Sequence, residues 1–127
     1  MYKHSELTGQ IIKAAQNVHN KLGYGFLEKV YHNALLIELP KYGLIAESEK
    51  PISVKYEDRI IGEYFADILV ENKVILEIKA VKQLNPEHEA QLVNYLKATN
   101  IDVGLLLNFG PSLQVKRKIF ETLRNNS

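Results

Sequence analysis

Between Ile52 and Val81 the apolar residues of this chain stop recurring at helical spacing and begin to alternate, and that change of period limits what it can fold into more than any other feature. Ile52, Val54 and Tyr56 alternate with polar residues, as in a half-buried strand. Glu57-Asp58 reads as a turn. Ile60 to Val70 and Val74 to Val81 read as two further strands, joined at Glu71-Asn72-Lys73. A strand sends successive side chains to opposite faces. Val74, Leu76, Ile78 and Ala80 therefore share an apolar face, and Glu77 and Lys79 share the other.

Helical spacing flanks this meander on both sides. Leu7, Ile11, Ala14, Val18 and Leu22 recur at three- and four-residue steps and stop at Gly23, which predicts a first helix. A second is expected from about Phe26 to Leu39, with Val30, Ala34, Leu35 and Ile37 as its inner face and Pro40 and Gly43 beyond its end. Pro86 opens a third, with Ala90, Val93 and Leu96 among its apolar positions. Val103-Gly104-Leu105-Leu106-Leu107 is a continuous apolar run, the mark of a strand covered on both faces. Asn108 to Ser112 reads as a turn, and a short strand or helix is expected from Val115 to Leu123. The order α-α-β-β-β-α-β, with that C-terminal strand or helix, predicts an α/β fold: a mixed sheet with helices on both faces. The length suits one domain, 1–127.

Composition removes several classes of function. There is no cysteine, which excludes a disulfide framework and a thiolate zinc site and fits a reducing, cytoplasmic setting. Met1 to Thr8 is polar, without the apolar stretch of a signal peptide, and no apolar run reaches the length of a membrane span. Net charge is +1, but its distribution is uneven. Residues 1–78 carry a net −2 and residues 79–127 a net +3, largely from Lys116, Arg117 and Lys118. Such a run is either a solvated surface or a phosphate-binding patch.

Asp67 draws attention to the meander's polar face. It interrupts an otherwise apolar stretch, Phe65, Ala66, Ile68 and Leu69. If the connection is the three-residue turn Glu71 to Lys73, Asp67 lies directly across from Glu77, with Cβ atoms roughly 5 Å apart. Two like charges so placed destabilise the pair unless something neutralises them. A divalent cation such as Mg²⁺, which takes carboxylate oxygens, water and phosphate, would do so, and Lys79 beside it would complete a site for phosphodiester chemistry. A two-residue turn would instead bring Ile78 opposite Asp67 and undo the argument. The plainer alternative is a surface network of ion pairs. Gln91 and Tyr95, four apart, share a helix face with His88 nearby, and Glu28 falls in a first helical turn, where a carboxylate is favoured by the macrodipole alone. His19 and His32 read as helix histidines engaged in ordinary hydrogen bonds.

Taken together, these residues resemble the PD-(D/E)XK nuclease superfamily, whose restriction-endonuclease-like core carries an Asp on one hairpin strand and Glu/Asp-x-Lys on the next. Phe65-Ala66-Asp67-Ile68-Leu69-Val70 and Glu77-Ile78-Lys79-Ala80 carry the likeness. So do Gly25-Phe26-Leu27-Glu28-Lys29-Val30-Tyr31, of the form GxxExxY, Gln91 and Tyr95, of the form QxxxY, and the segment Gly104 to Gly110. The GxxExxY protein family is similar along almost the whole chain, from about Leu7 to Ile119. One departure is Ala66 where a proline often precedes the Asp. The resemblance implies Asp67, Glu77 and Lys79 as catalytic residues and Glu28, Asp67 and Glu77 as ligands to Mg²⁺ or Mn²⁺, with the Ile78 carbonyl as a further ligand. It implies Gln91 and Tyr95 as substrate-positioning residues. Its partner is nucleic acid, DNA sooner than RNA, with a homodimer as one way of cutting both strands. The alternative is a catalytically silent module of the same fold that binds nucleic acid or a protein partner.

Overall fold

The structure, a computed structural model, describes residues 2–121. Helices α1 (Ser5–Leu22) and α2 (Glu28–Glu38) come first, and a 3-10 turn at Leu39–Tyr42 closes α2. Strands β1 (Ala46–Tyr56), β2 (Arg59–Val70) and β3 (Val74–Lys79) form an antiparallel meander. Helix α3 (Pro86–Ala98) crosses over, β4 (Val103–Phe109) lies parallel to β3, and β5 (Leu113–Ile119) returns antiparallel to β4. The spatial order is β1-β2-β3-β4-β5. Ile11, Val18, Tyr31 and Leu35 pack on one face against Ile68, Leu76, Ile78 and Leu105. Leu92, Tyr95 and Leu96 of α3 pack on the other, against Leu69, Ile75 and Leu106. The alternation along β3 thus divides its side chains between two cores, as the sequence pattern predicts.

The hairpin turn has the length on which the register depends. Glu71 and Asn72 are both left-handed, at φ 54° and 55°, and the Lys73 N–H donates to the Val70 carbonyl at 2.9 Å. This closes a loop of three residues and sets Val70 opposite Val74, Leu69 opposite Ile75 and Ile68 opposite Leu76.

Two expectations are corrected. The inner face of α2 is Tyr31 and Leu35, continued by Leu39, all fully buried, whereas Val30 is 37% and Ile37 68% exposed. The two stripes lie one residue apart, about 100° around the helix. Tyr31 decides between them because its ring stacks on Phe109 with centroids 4.6 Å apart. The helix also starts at Glu28 rather than Phe26, since Gly25 sits at φ 118°, outside helical conformation.

The second correction concerns Asn108 and Phe109, which continue β4 instead of opening a turn. Asn108 is fully buried, and its amide is used at both ends. Its Oδ1 accepts from the Val81 N–H at 2.9 Å, and its Nδ2 donates to the Val81 carbonyl at 3.0 Å and to Gln114 Oε1 at 2.9 Å. A side chain thereby extends the pairing of β3 past its last ladder residue. The last element among the described residues is a strand that begins at Leu113, and the expected stretch beyond residue 121 lies outside them.

Gly104 seats α3 on the sheet. A Cβ at that position would lie 2.7 Å from Leu92 Cδ1 and 3.0 Å from its Cγ, and Leu92 is itself fully buried. Gly104→Ala is expected to overpack this contact and lower stability by about 1–3 kcal/mol, read as a lower urea midpoint with an unchanged slope.

Candidate active site

The sheet forks. β2 and β3 pair only from Ile68/Leu76 to the turn; beyond that point β2 stays with β1 and β3 with β4. Asp67 and Glu77 are the next residues on the two strands, at the point of the fork. Backbone amides exposed there need acceptors, and each strand's carboxylate supplies one to the other. The Asp67 N–H donates to Glu77 Oε2 at 2.9 Å, and the Ile78 N–H donates to Asp67 Oδ2 at 2.8 Å. The register predicted from the three-residue turn therefore brings the two carboxylates together. On the outer side of β2, Glu49 of β1 adopts a left-handed φ of 52°, and pairing passes from Ser48/Ile68 to Lys50/Ala66 without a Glu49/Asp67 pair. Ala66 and Leu69, three residues apart on β2, both join the core under α3.

The electrostatics follow from this placement. Glu77 is only 4% exposed. Burial pushes its pKa up from the ordinary 4.5 to about 8, the Asp67 charge pushes in the same direction, and Glu28 adds a smaller push. The Asp67 N–H and the Lys79 ammonium act against them. Lys79 follows Glu77 by two residues on the same strand face and makes no ion pair among the described residues. Asp67 Oδ1 and Glu77 Oε1 accept no hydrogen bond from the described residues.

Glu28 is presented by a tied loop. The Tyr31 hydroxyl donates to the Gly23 carbonyl at 2.7 Å and accepts from the Phe26 N–H at 3.2 Å. Gly25 provides the left-handed turn, Tyr31 anchors it from the core, and Glu28 opens the helix. The GxxExxY spacing thus fixes where Glu28 begins α2. Glu28 stands within electrostatic reach of Glu77, yet among the described residues no three His, Cys, Asp or Glu side chains lie close enough to hold one metal ion. The structure joins Asp67, Glu77 and Lys79 and leaves Glu28 at the edge of the group.

Across the fork, Gln91 Nε2 donates to the Tyr95 hydroxyl at 3.1 Å. Burial raises the Tyr95 pKa, and the Glu77 and Asp67 charges raise it further, which places this phenol in the field of both carboxylates. Two residues near the site escape sequence reading. Tyr64, with its ring 5.8 Å from that of Tyr95, has no pattern to announce it, because its neighbour lies on α3. Asn108 carries a signal, a lone amide ending an apolar run, that reads equally well as a turn. The histidines are engaged elsewhere: His88 closes the capping box of α3, His19 bonds to the Gly110 carbonyl, and His32 to Ser48 Oγ.

The donor set is hard. Two carboxylates facing one another beside an ammonium suit a divalent cation with oxygen preference, and the buried Glu77 charge gives the fold a reason to accept one. A family model described as the PD-(D/E)XK nuclease superfamily matches residues 5–120. The chain belongs to the PD-(D/E)XK nuclease superfamily. No curated protein matches it. Among solved structures it is similar to the crystal structure of SSO0001, with a TM-score of 0.56 and 20% identity over 94% of this chain. It spans 60% of that chain, and the likeness is one of fold. Asp67 and Glu77-x-Lys79, the residues through which the sequence resembles that superfamily, stand together at the fork.

The raised Glu77 pKa gives a signed prediction. The folded state favours the protonated carboxyl, so this group's contribution to stability is full below about 4.5 and falls as pH rises towards about 8. The slope is at most about 1.4 kcal/mol per pH unit. Glu77→Gln keeps an acceptor for the Asp67 N–H and removes the titration. It is expected to be a few kcal/mol more stable than the parent at pH 8 and above in chelator, and no different at pH 4. Urea denaturation across that range measures the difference.

Proposed function

We propose that this superfamily member is a Mg²⁺- or Mn²⁺-dependent nuclease that hydrolyses phosphodiester bonds of DNA. The supporting observation is the Asp67–Glu77 exchange at the fork with Lys79 beside it, which makes no ion pair among the described residues. Asp67 and Glu77 would hold the cation through the oxygens not bonded to backbone, with Glu28 and the Ile78 carbonyl as further ligands. A bound divalent cation supplies polarisation of a phosphate oxygen and a lowered pKa for water.

The chain's own residues do the rest. Glu77 gives up the proton that its surroundings favour when a cation takes its place. Lys79 orients the attacking water through its ammonium hydrogens and stabilises negative charge on the phosphate, an interaction strengthened by the low exposure of Glu77 beside it. Tyr95, its hydroxyl held by Gln91, donates to the substrate strand. Among the basic residues of the C-terminal half, Arg117 stacks on Tyr2 at 3.9 Å and Lys118 pairs with Glu89 at 2.6 Å. Lys97 lies over the Phe120 ring at 5.7 Å. Lys82 and Lys116 make no ion pair among the described residues and are the better candidates for the phosphate backbone.

The reading is tested by Mg²⁺-dependent cleavage of plasmid and single-stranded DNA by the purified protein. Lys79→Ala is expected to lower the rate by roughly 10²–10⁴-fold; an unchanged rate would exclude the mechanism. Mn²⁺ at about a hundred times its Kd is expected to stabilise the parent by about 2.7 kcal/mol, and Asp67→Asn to abolish that gain. One observation favours a second reading, a catalytically silent module: the three carboxylates do not already form a cluster. A flat Mn²⁺ thermal-shift titration would support that module over the enzyme.

A further inference from the structure

Beside the fork, β1, β2 and α3 enclose an open groove of about 910 Å³, within the range of roughly 300–1,000 Å³ usual for ligand sites. Of its lining, Gln91 and Tyr95 belong to the candidate site already described, whereas Tyr64 and Asn94 have no part in it. Tyr64 lines it and is 49% exposed. Its ring leans on Tyr95 at 43° and lies across Gly62, where a Cβ would come within 3.3 Å of Tyr64 Cε2. Gly62 does not have positive φ, so its backbone does not require glycine. The missing side chain instead leaves room for the ring to lie along the strand. Gln91 and Asn94 place amides on the α3 wall. The charged lining is sparse: Lys55 and Lys97 against Glu87.

We propose that this groove binds an unpaired nucleobase of the substrate strand, stacked on Tyr64, and that the protein therefore acts on single-stranded nucleic acid. The proposal rests on the nuclease reading for what happens to the strand, though not for the binding itself. An exposed aromatic face offers little to a base already stacked within a duplex, and much to one that is unpaired. Side-chain amides can meet the hydrogen-bonding edge of such a base. Duplex binders draw affinity from many phosphate contacts, and within the groove itself only Lys55 and Lys97 could make them. Continuity with the site supports the assignment, because Tyr95 both touches Tyr64 and lies in the field of Glu77 and Asp67. A base held here leaves its own backbone beside the carboxylates.

The test is fluorescence anisotropy on the full chain in EDTA, with labelled oligo(dT), oligo(U), a strand of abasic residues and a duplex of equal length. Oligo(dT), oligo(U) or both are expected to bind at least tenfold tighter than the abasic strand and the duplex, and the two arms separate DNA from RNA. Tyr64→Ala should cost roughly 5- to 100-fold on the preferred strand and nothing on the abasic one, while Tyr64→Phe binds as the parent does. Gly62→Ala, which presses on the ring without removing it, should weaken binding by a smaller factor. The log–log salt slope should be the same for the parent and Tyr64→Ala, because the stack itself makes no phosphate contact. Equal affinity of parent and Tyr64→Ala, or preference for the duplex, would overturn the proposal. Tyr64-dependent binding without Mg²⁺-dependent cleavage would defeat the nuclease reading alone, and Lys79-dependent cleavage indifferent to Tyr64 would defeat this one alone.

Discussion

Everything at the candidate site depends on how two strands separate. Where β2 leaves β3, two backbone amides lose their ladder partners, and buried N–H groups without acceptors are costly. Asp67 and Glu77 resolve this by accepting across the gap, each from the opposite strand. The same pair of bonds stabilises the fork and brings two like charges together, one of them almost wholly buried. Stability and chemistry are thus opposed at one place. The fold needs the carboxylates as acceptors; burial, and after it the repulsion from Asp67, raises the Glu77 pKa and favours whatever cation or proton can relieve it.

Buried polar side chains on either side of the fork hold it in place. Tyr31 reaches from the core to fix both ends of the loop before α2, and so fixes where Glu28 begins the helix. Asn108 clamps Val81 by both its N–H and its carbonyl, which prolongs the line of β3 just past Lys79. Both are fully buried and fully hydrogen-bonded, the condition under which a polar group in a core specifies geometry instead of weakening it. On the opposite face, Gly104 lets α3 approach closely enough for Tyr95 to come under the influence of the carboxylates.

The parts of this architecture that local pattern governs were legible in the sequence. Alternation along 74–81 separates core from site face, and the three-residue turn at Glu71-Asn72-Lys73 dictates a register in which Asp67 meets Glu77. Helices α1 and α3 follow from spacing, Pro86 and Gly23. The face of α2 was not legible, because its apolar residues support two stripes one residue apart, and only the stacking of Tyr31 on Phe109 selects between them. The strand character of Asn108 was hidden for a similar reason: an asparagine ends a strand unless a distant backbone, here that of Val81, gives its amide a purpose.

By itself, then, the sequence determined the order of elements, the hairpin register and the identity of the acidic pair with its lysine, because each depends on residues near one another along the chain. Tertiary structure alone decided how far Glu77 is buried, where Glu28 stands relative to the pair, and that Tyr64 faces Tyr95 across a groove. Those depend on helices packed against the sheet from distant parts of the chain, and periodicity records only that a residue faces inward, never which neighbour it meets there.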